Sequence, residues 1–125
     1  MKMSQVLGLQ DLYTKFKDKN LPTITNYKLL KLLRSIEVEI DFYKENFTKL
    51  LETYGLRDEN GNYVKTQDQN GFMVIPDKAA EFQQKFLELL NLDVEIQEVE
   101  FALSEFDGAN LSLDDLNILF PFIKE

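Results

Sequence analysis

The chain has 125 residues, 44% of them hydrophobic, and a net charge of −8. That length predicts a single domain, residues 1–125, with enough core to fold without disulfides or metals. There is no Cys and no His, which excludes thiolate nucleophiles, imidazole bases, Cys/His zinc sites and a Ser-His-Asp arrangement. Catalysis would fall to carboxylates, Lys or Tyr alone, so the expectation is no enzyme, no metal and no cofactor.

The charge is segregated. Residues 1–34 hold seven Lys/Arg against two Asp, and residues 86–123 hold nine Asp/Glu and no Lys or Arg. Nucleic-acid binding is disfavoured by the overall sign. Lys15, Lys17 and Lys19 interleave with Tyr13 and Phe16, but those rings sit on an apolar helical stripe that suits a core. Basic and acidic parts can face each other within one fold, or meet head to tail between copies; the first is the simpler arrangement. No apolar run reaches the length of a membrane span. The apolar stretch at the N-terminus is broken at once by Ser4 and Gln5, so it does not read as a signal peptide.

Ser4 is a candidate cap for a first helix carrying Val6, Leu7, Leu9, Leu12, Tyr13 and Phe16 on one stripe, which ends in the polar run Lys15 to Asn20. Pro22 interrupts it by pushing its predecessor toward extended geometry. Thr25 or Asn26 then caps a long helix that runs to about Tyr54 and stops at Gly55. This helix carries a seam in strict register. Leu29, Ile36, Tyr43 and Leu50 repeat every seven residues, and so do Leu33, Ile40, Phe47 and Tyr54. Such spacing marks a helix face that meets another helix. Leu30, Leu32, Val38, Phe42 and Leu51 lie off the seam, and a helix apolar on more than one side needs more than one neighbour. Glu37, Asp41 and Glu45 form a carboxylate stripe that reads as a solvated face.

Two Asp-x-Asn-Gly turns follow, at Asp58 to Gly61 and Asp68 to Gly71. An EF-hand loop would need its Gly two places later and Glu at position twelve, where Gln69 and Ala79 stand, so both read as tight turns. Residues 63–67 and 72–75 are predicted as the strands of a hairpin looped by residues 68–71. Asp77 is the predicted cap of a third helix with Ala79, Phe82, Phe86, Leu89 and Leu90 on its buried stripe. Residues 92–106 alternate as strands with a phase slip after Gln97-Glu98. Ser112 with Asp115 forms a capping-box start for a last short helix that Pro121 helps to end.

The predicted fold class is therefore α+β: a long helix and two or three shorter ones packed on a small antiparallel sheet containing a β-hairpin. The candidate interaction residues are Tyr43, Phe47 and Tyr54 of the seam with Tyr63, Phe72 and Met73 of the hairpin.

The order of motifs resembles that of small uncharacterised proteins encoded by tailed bacteriophages and prophages. The matching pieces are Leu21-Pro22 with Tyr27-Lys28-Leu29, then Glu52-Thr53-Tyr54-Gly55 and Asp58-Glu59-Asn60-Gly61-Asn62-Tyr63. Glu81-Phe82, Glu88-Leu89-Leu90-Asn91, Val94-Glu95-Ile96 and Leu111-Ser112 follow, so most of residues 21–120 is covered. Residues 67–75 lengthen the hairpin region relative to that pattern. Each matching piece is a cap, a turn or a core position, and no functional residue carries over. The resemblance implies a non-enzymatic, phage-encoded accessory, structural or assembly protein in the cytoplasm of the host cell or associated with the virion. Its partner would be a second copy or another phage or host protein. The alternative is an acidic host-directed inhibitor, acting in counter-defence or as a nucleic-acid mimic.

Overall fold

The computed structural model describes residues 1–124. They form four α-helices: α1 Met3–Phe16, α2 Thr23–Tyr54, α3 Ala79–Leu90 and α4 Leu113–Leu119. Short 3-10 turns occupy Pro76–Lys78, Leu103–Phe106 and Phe120–Phe122. The chain gathers into two compact units, Met1–Ile40 with Asp93–Glu125, and Asp41–Leu92. The N-terminal part of α2 belongs to the first and its C-terminal part to the second.

In the first unit α1 buries Met3, Val6, Leu9, Leu12 and Phe16, the period of one helical face. Its start lies earlier than Ser4: the Lys2 N–H donates to the Gln5 side-chain carbonyl at 2.8 Å, and Met3 is already helical. α1 already ends at Phe16, in the polar run ahead of Pro22, and α2 begins at Thr23 directly behind that proline. Thr25 and Asn26 are therefore inside the first turn and not its cap. The Asn26 amide donates to the Leu21 carbonyl, and the fully buried Thr25 hydroxyl donates to the Glu105 carbonyl. Leu29, Leu32 and Ile36 of α2 converge on Leu9 and Leu12 of α1 and Leu119 of α4. A Cβ on Gly8 would already touch Ile118 at 3.5 Å, so α1 and α4 pack closely.

The basic N-terminal stretch meets the acidic C-terminal stretch inside this unit. Lys2 pairs with Asp93 at 2.9 Å, Lys15 with Asp115 at 2.6 Å and Lys28 with Glu105 at 2.8 Å. The lysine hydrogen bonds hold the Asp93 and Glu105 carboxyls below their ordinary range. Burial pushes Asp115 upward, but Lys15 and the N–H and hydroxyl of Ser112 outweigh it and leave the carboxyl low. Asp115 also completes the cap of α4: its carboxylate accepts the Ser112 N–H at 3.0 Å and its own N–H donates to the Ser112 hydroxyl at 3.1 Å.

Asp115→Ala should cost about 2 kcal/mol, since it removes a nearly buried carboxylate from one ammonium and one helix cap. Because the folded pKa values of Asp115 and Glu105 lie below their unfolded ones, their stabilisation is present above the unfolded carboxylate range. It is lost as pH falls through the lowered folded values. The urea midpoint of the wild type should therefore fall on acidification more steeply than that of Asp115→Asn. Equal slopes would contradict this role for Asp115.

The expected antiparallel sheet is absent: among the described residues there is no β-strand, and the fold is all-α rather than α+β. Only isolated bridges occur. The segment 94–100, predicted as strand, runs without regular structure, and Leu103–Phe106 is a 3-10 turn. The physical reason lies in its flanks. The Val94 N–H donates to the Met1 carbonyl and the Phe101 N–H to the Phe122 carbonyl. The two ends are tied to different parts of the chain, so no single neighbour runs alongside to form a ladder.

In the second unit α2 ends at Gly55, and residues 55–57, 63–65 and 72–74 lie side by side. Single antiparallel bridges join Gly55 to Val74, Arg57 to Tyr63 and Lys65 to Phe72. The predicted hairpin thus reduces to one bridge, because the turns on either side use the residues that would extend it. Asp58 accepts the N–H groups of Asn60 and Asn62, and Asp68 accepts the Asn70 N–H and the Thr66 hydroxyl. Those bonds to Thr66 and the Asn70 N–H hold the Asp68 carboxyl below its usual range. The turns differ despite their matching sequences: the left-handed residue is Gly61 (φ 82°) in the first and Gln69 (φ 64°) in the second. Gln69→Gly should stabilise the protein by about 1 kcal/mol by relieving that conformation. A lower thermal midpoint for the variant would contradict the geometry. Asp77 makes no cap to α3, which follows the 3-10 turn at Pro76–Lys78.

Candidate functional site

Five of the six candidate interaction residues come together in the second unit, and they do so as neighbours of one another. Tyr43 stacks on Phe47 one helical turn later, with ring centroids 5.9 Å apart. Phe47 reaches Phe72 at 6.4 Å and Phe86 at 5.9 Å. Tyr63 meets Phe72 edge-on at 6.1 Å, Phe86 stacks on Phe82 at 5.6 Å, and Phe82 meets Tyr54 at 6.1 Å. The rings form one continuous chain with the offset and edge-on contacts that aromatic quadrupoles favour. Met73 stands apart from it and is 46% exposed.

Two of the ring hydroxyls are occupied. The Tyr54 hydroxyl donates to Glu81 at 2.9 Å, and that bond, with burial, raises the Tyr54 pKa. Burial also raises Tyr43. Arg57 donates to the Tyr63 hydroxyl at 2.8 Å, and its guanidinium lies 4.6 Å from the ring centroid. The Tyr54 and Tyr63 hydroxyls are thus both paired. They bind the segments of the unit together.

The aromatic chain is thinly covered. Within Asp41–Leu92 the buried hydrophobic side chains are Leu51, Tyr54 and Leu89, while Tyr43, Phe47, Tyr63, Phe72, Phe82 and Phe86 are half-buried. On α2, Phe42, Asn46, Lys49, Leu50 and Thr53 fall on one stripe; on α3, Lys85, Glu88 and Leu89 do, with Leu92 just beyond it. Together with Tyr54 these line a groove of about 410 Å³. Its floor is apolar. Phe42 (45% exposed) and Leu92 (39% exposed) stand at its edge, with Lys49, Lys85 and Glu88 around them. Lys85 and Glu88 are only loosely paired, at 4.0 Å.

The sequence residues chosen for interaction did not include Phe42, Leu92 or the charged rim. A signal was present in Phe42, which lies off the seam of α2 and so faces a second direction. Leu92 carries none, because it opens the run whose alternation has the pattern of a strand. The carboxylates Asp58 and Asp68, considered for calcium, each use Oδ1 to accept hydrogen bonds within their own turns. No described helix is long and apolar enough to cross a membrane. Comparison with protein-family models, curated proteins and solved structures finds no match.

Proposed function

We propose that this chain is a non-enzymatic interaction protein that associates with a second copy of itself through the groove of the second unit. The observation that carries the reading is the thin cover of that unit: three buried apolar side chains (Leu51, Tyr54 and Leu89), six further rings only half-buried, and an open groove with Phe42 and Leu92 exposed at its edge. Apolar surface of this kind on adjacent helix stripes marks an association site. The charged rim favours a second copy as the occupant. Lys49, Lys85 and Glu88 give it both signs, so a two-fold contact can place lysines of each copy opposite Glu88 of the other.

A non-enzymatic role is supported by the absence of His and Cys. The phage setting, as a structural or assembly protein in the host cytoplasm or on the virion, rests on the motif order of residues 21–120 alone. The competing role, an acidic inhibitor imitating nucleic acid, is weakened because Asp93, Glu100, Glu105 and Asp115 are already paired with lysines.

The test is sedimentation equilibrium of the wild type beside Phe42→Glu/Leu92→Glu. Both side chains are already partly exposed, so the double variant should keep its helical circular dichroism while losing self-association. A wild type that stays at the mass of one chain, 14.6 kDa, at every concentration would overturn the reading.

A further inference from the structure

Residues 94–100 of the first unit have a strand's sequence and no strand beside them. They run without helix, turn or bend between two anchored ends. At one end the Val94 N–H donates to the Met1 carbonyl at 2.8 Å; at the other the Phe101 N–H donates to the Phe122 carbonyl at 2.8 Å. Between them, among the described residues, no backbone group of residues 95–100 bonds another backbone group. The Gln97 N–H alone is used, donating to the Ser35 hydroxyl at 2.9 Å. An extended stretch with free N–H and C=O groups is a template for an added strand. Beside it lies a cleft of about 520 Å³ where Val94, Ile96, Val99 and Phe122 offer apolar contact, with Met1 and Lys124 also in its lining.

We propose that this segment binds an extended basic peptide by strand addition. Charge selects the occupant. Glu95 and Glu98 line the cleft and make no ion pair within 4.0 Å among the described residues, while Glu100 is held by Lys124 at 2.7 Å. A second copy pairing through the same segment would bring a second Glu95, Glu98 and Glu100 to the same edge, like charge beside like charge. A strand carrying Lys or Arg between β-branched residues brings opposite charge to that edge instead and offers apolar side chains to the cleft. The site lies wholly in the first unit and does not depend on self-association through the second.

The test titrates the full chain into a labelled Val-Lys-Val-Lys-Val-Lys-Val peptide, capped at both ends, and follows anisotropy. Saturable binding is expected, weakened by salt, with the amide resonances of residues 95–100 shifting on addition. Two N-methylated peptides, each blocking one backbone edge at unchanged charge, separate strand addition from simple attraction: at least one should lose about tenfold in affinity. Glu95→Gln/Glu98→Gln should weaken binding about fivefold. The proposal is overturned if both N-methylated peptides bind as well as the parent, if the Glu counterpart of the peptide binds equally, or if no peptide binds.

Discussion

Phe101→Ala should lower the unfolding free energy by about 4 kcal/mol, the upper part of the range for emptying a buried aromatic site. The ring is 1% exposed and lies 5.1 Å from Phe106, which in turn lies 5.8 Å from Phe16 of α1. Phe16 and Phe106 are themselves buried, so the cavity would open at the end of a three-ring stack whose other members are held in place. Collapse is hindered further by the backbone. Phe101 donates to the Phe122 carbonyl and accepts the Lys124 N–H, which fixes its Cα against the chain end. The ammonium of Lys28, which bonds Glu105, also sits 5.6 Å from the ring centroid and would lose that face. Urea unfolding followed by far-ultraviolet circular dichroism measures the loss. Phe101→Leu, which refills most of the space, should recover more than half of it. A loss under about 1 kcal/mol for Phe101→Ala would contradict a fully packed site.

Gly55→Ala should cost about 3 kcal/mol, through contact rather than through backbone conformation. A Cβ at this position would lie 2.6 Å from the Leu51 carbonyl oxygen and 2.9 Å from Cδ1 of Tyr63. The first neighbour is backbone in the last turn of α2 and cannot swing away. The second is a ring already fixed by Arg57 and by Phe72. The Gly55 N–H donates to that same Leu51 carbonyl at 2.8 Å, so any retreat breaks the bond that ends the helix. Gly61 is the useful contrast. It has a φ of 82° but nothing within 4 Å of a built Cβ. Gly61→Ala should therefore cost only the strain of a left-handed residue, about 1 kcal/mol. Thermal unfolding of the two variants should rank Gly55→Ala well below Gly61→Ala, and the reverse order would contradict the close approach at Gly55.

The features that were legible in the sequence are those set by neighbours in the chain. Gly55 stops α2 because a helix end is a local matter, and Ser112 with Asp115 caps α4 for the same reason. The segregation of charge was legible as a pattern, and Lys2, Lys15 and Lys28 find Asp93, Asp115 and Glu105 within one unit. The features that were not legible depend on distant partners. Alternation through Val94, Ile96 and Val99 describes a strand only if another strand arrives, and here residues 1 and 122 take the ends while the middle stays unpaired. The two Asp-x-Asn-Gly turns look alike, yet Thr66 draws Asp68 and Gly71 to itself, and the left-handed position moves to Gln69.

The interaction residues show the same division. The strict seam on α2 correctly marks a packing face, but it does not say how deep each part is buried. Leu29, Ile36 and Ile40 are buried in the first unit with Leu33 half-buried, while in the second Tyr54 is buried and Tyr43, Phe47 and Leu50 remain half-buried. Periodicity is blind to that change because both halves carry large apolar side chains. What differs is the supply of covering residues, and α3 with its single buried side chain, Leu89, covers little.

The measurement that tests the central claim most directly is mass by light scattering on a size-exclusion column, at low and at high salt. Association through an apolar floor with a charged rim predicts a mass of at least two chains in both conditions. A mass of 14.6 kDa in both would contradict self-association, and a dimer found only at low salt would contradict the groove as its seat.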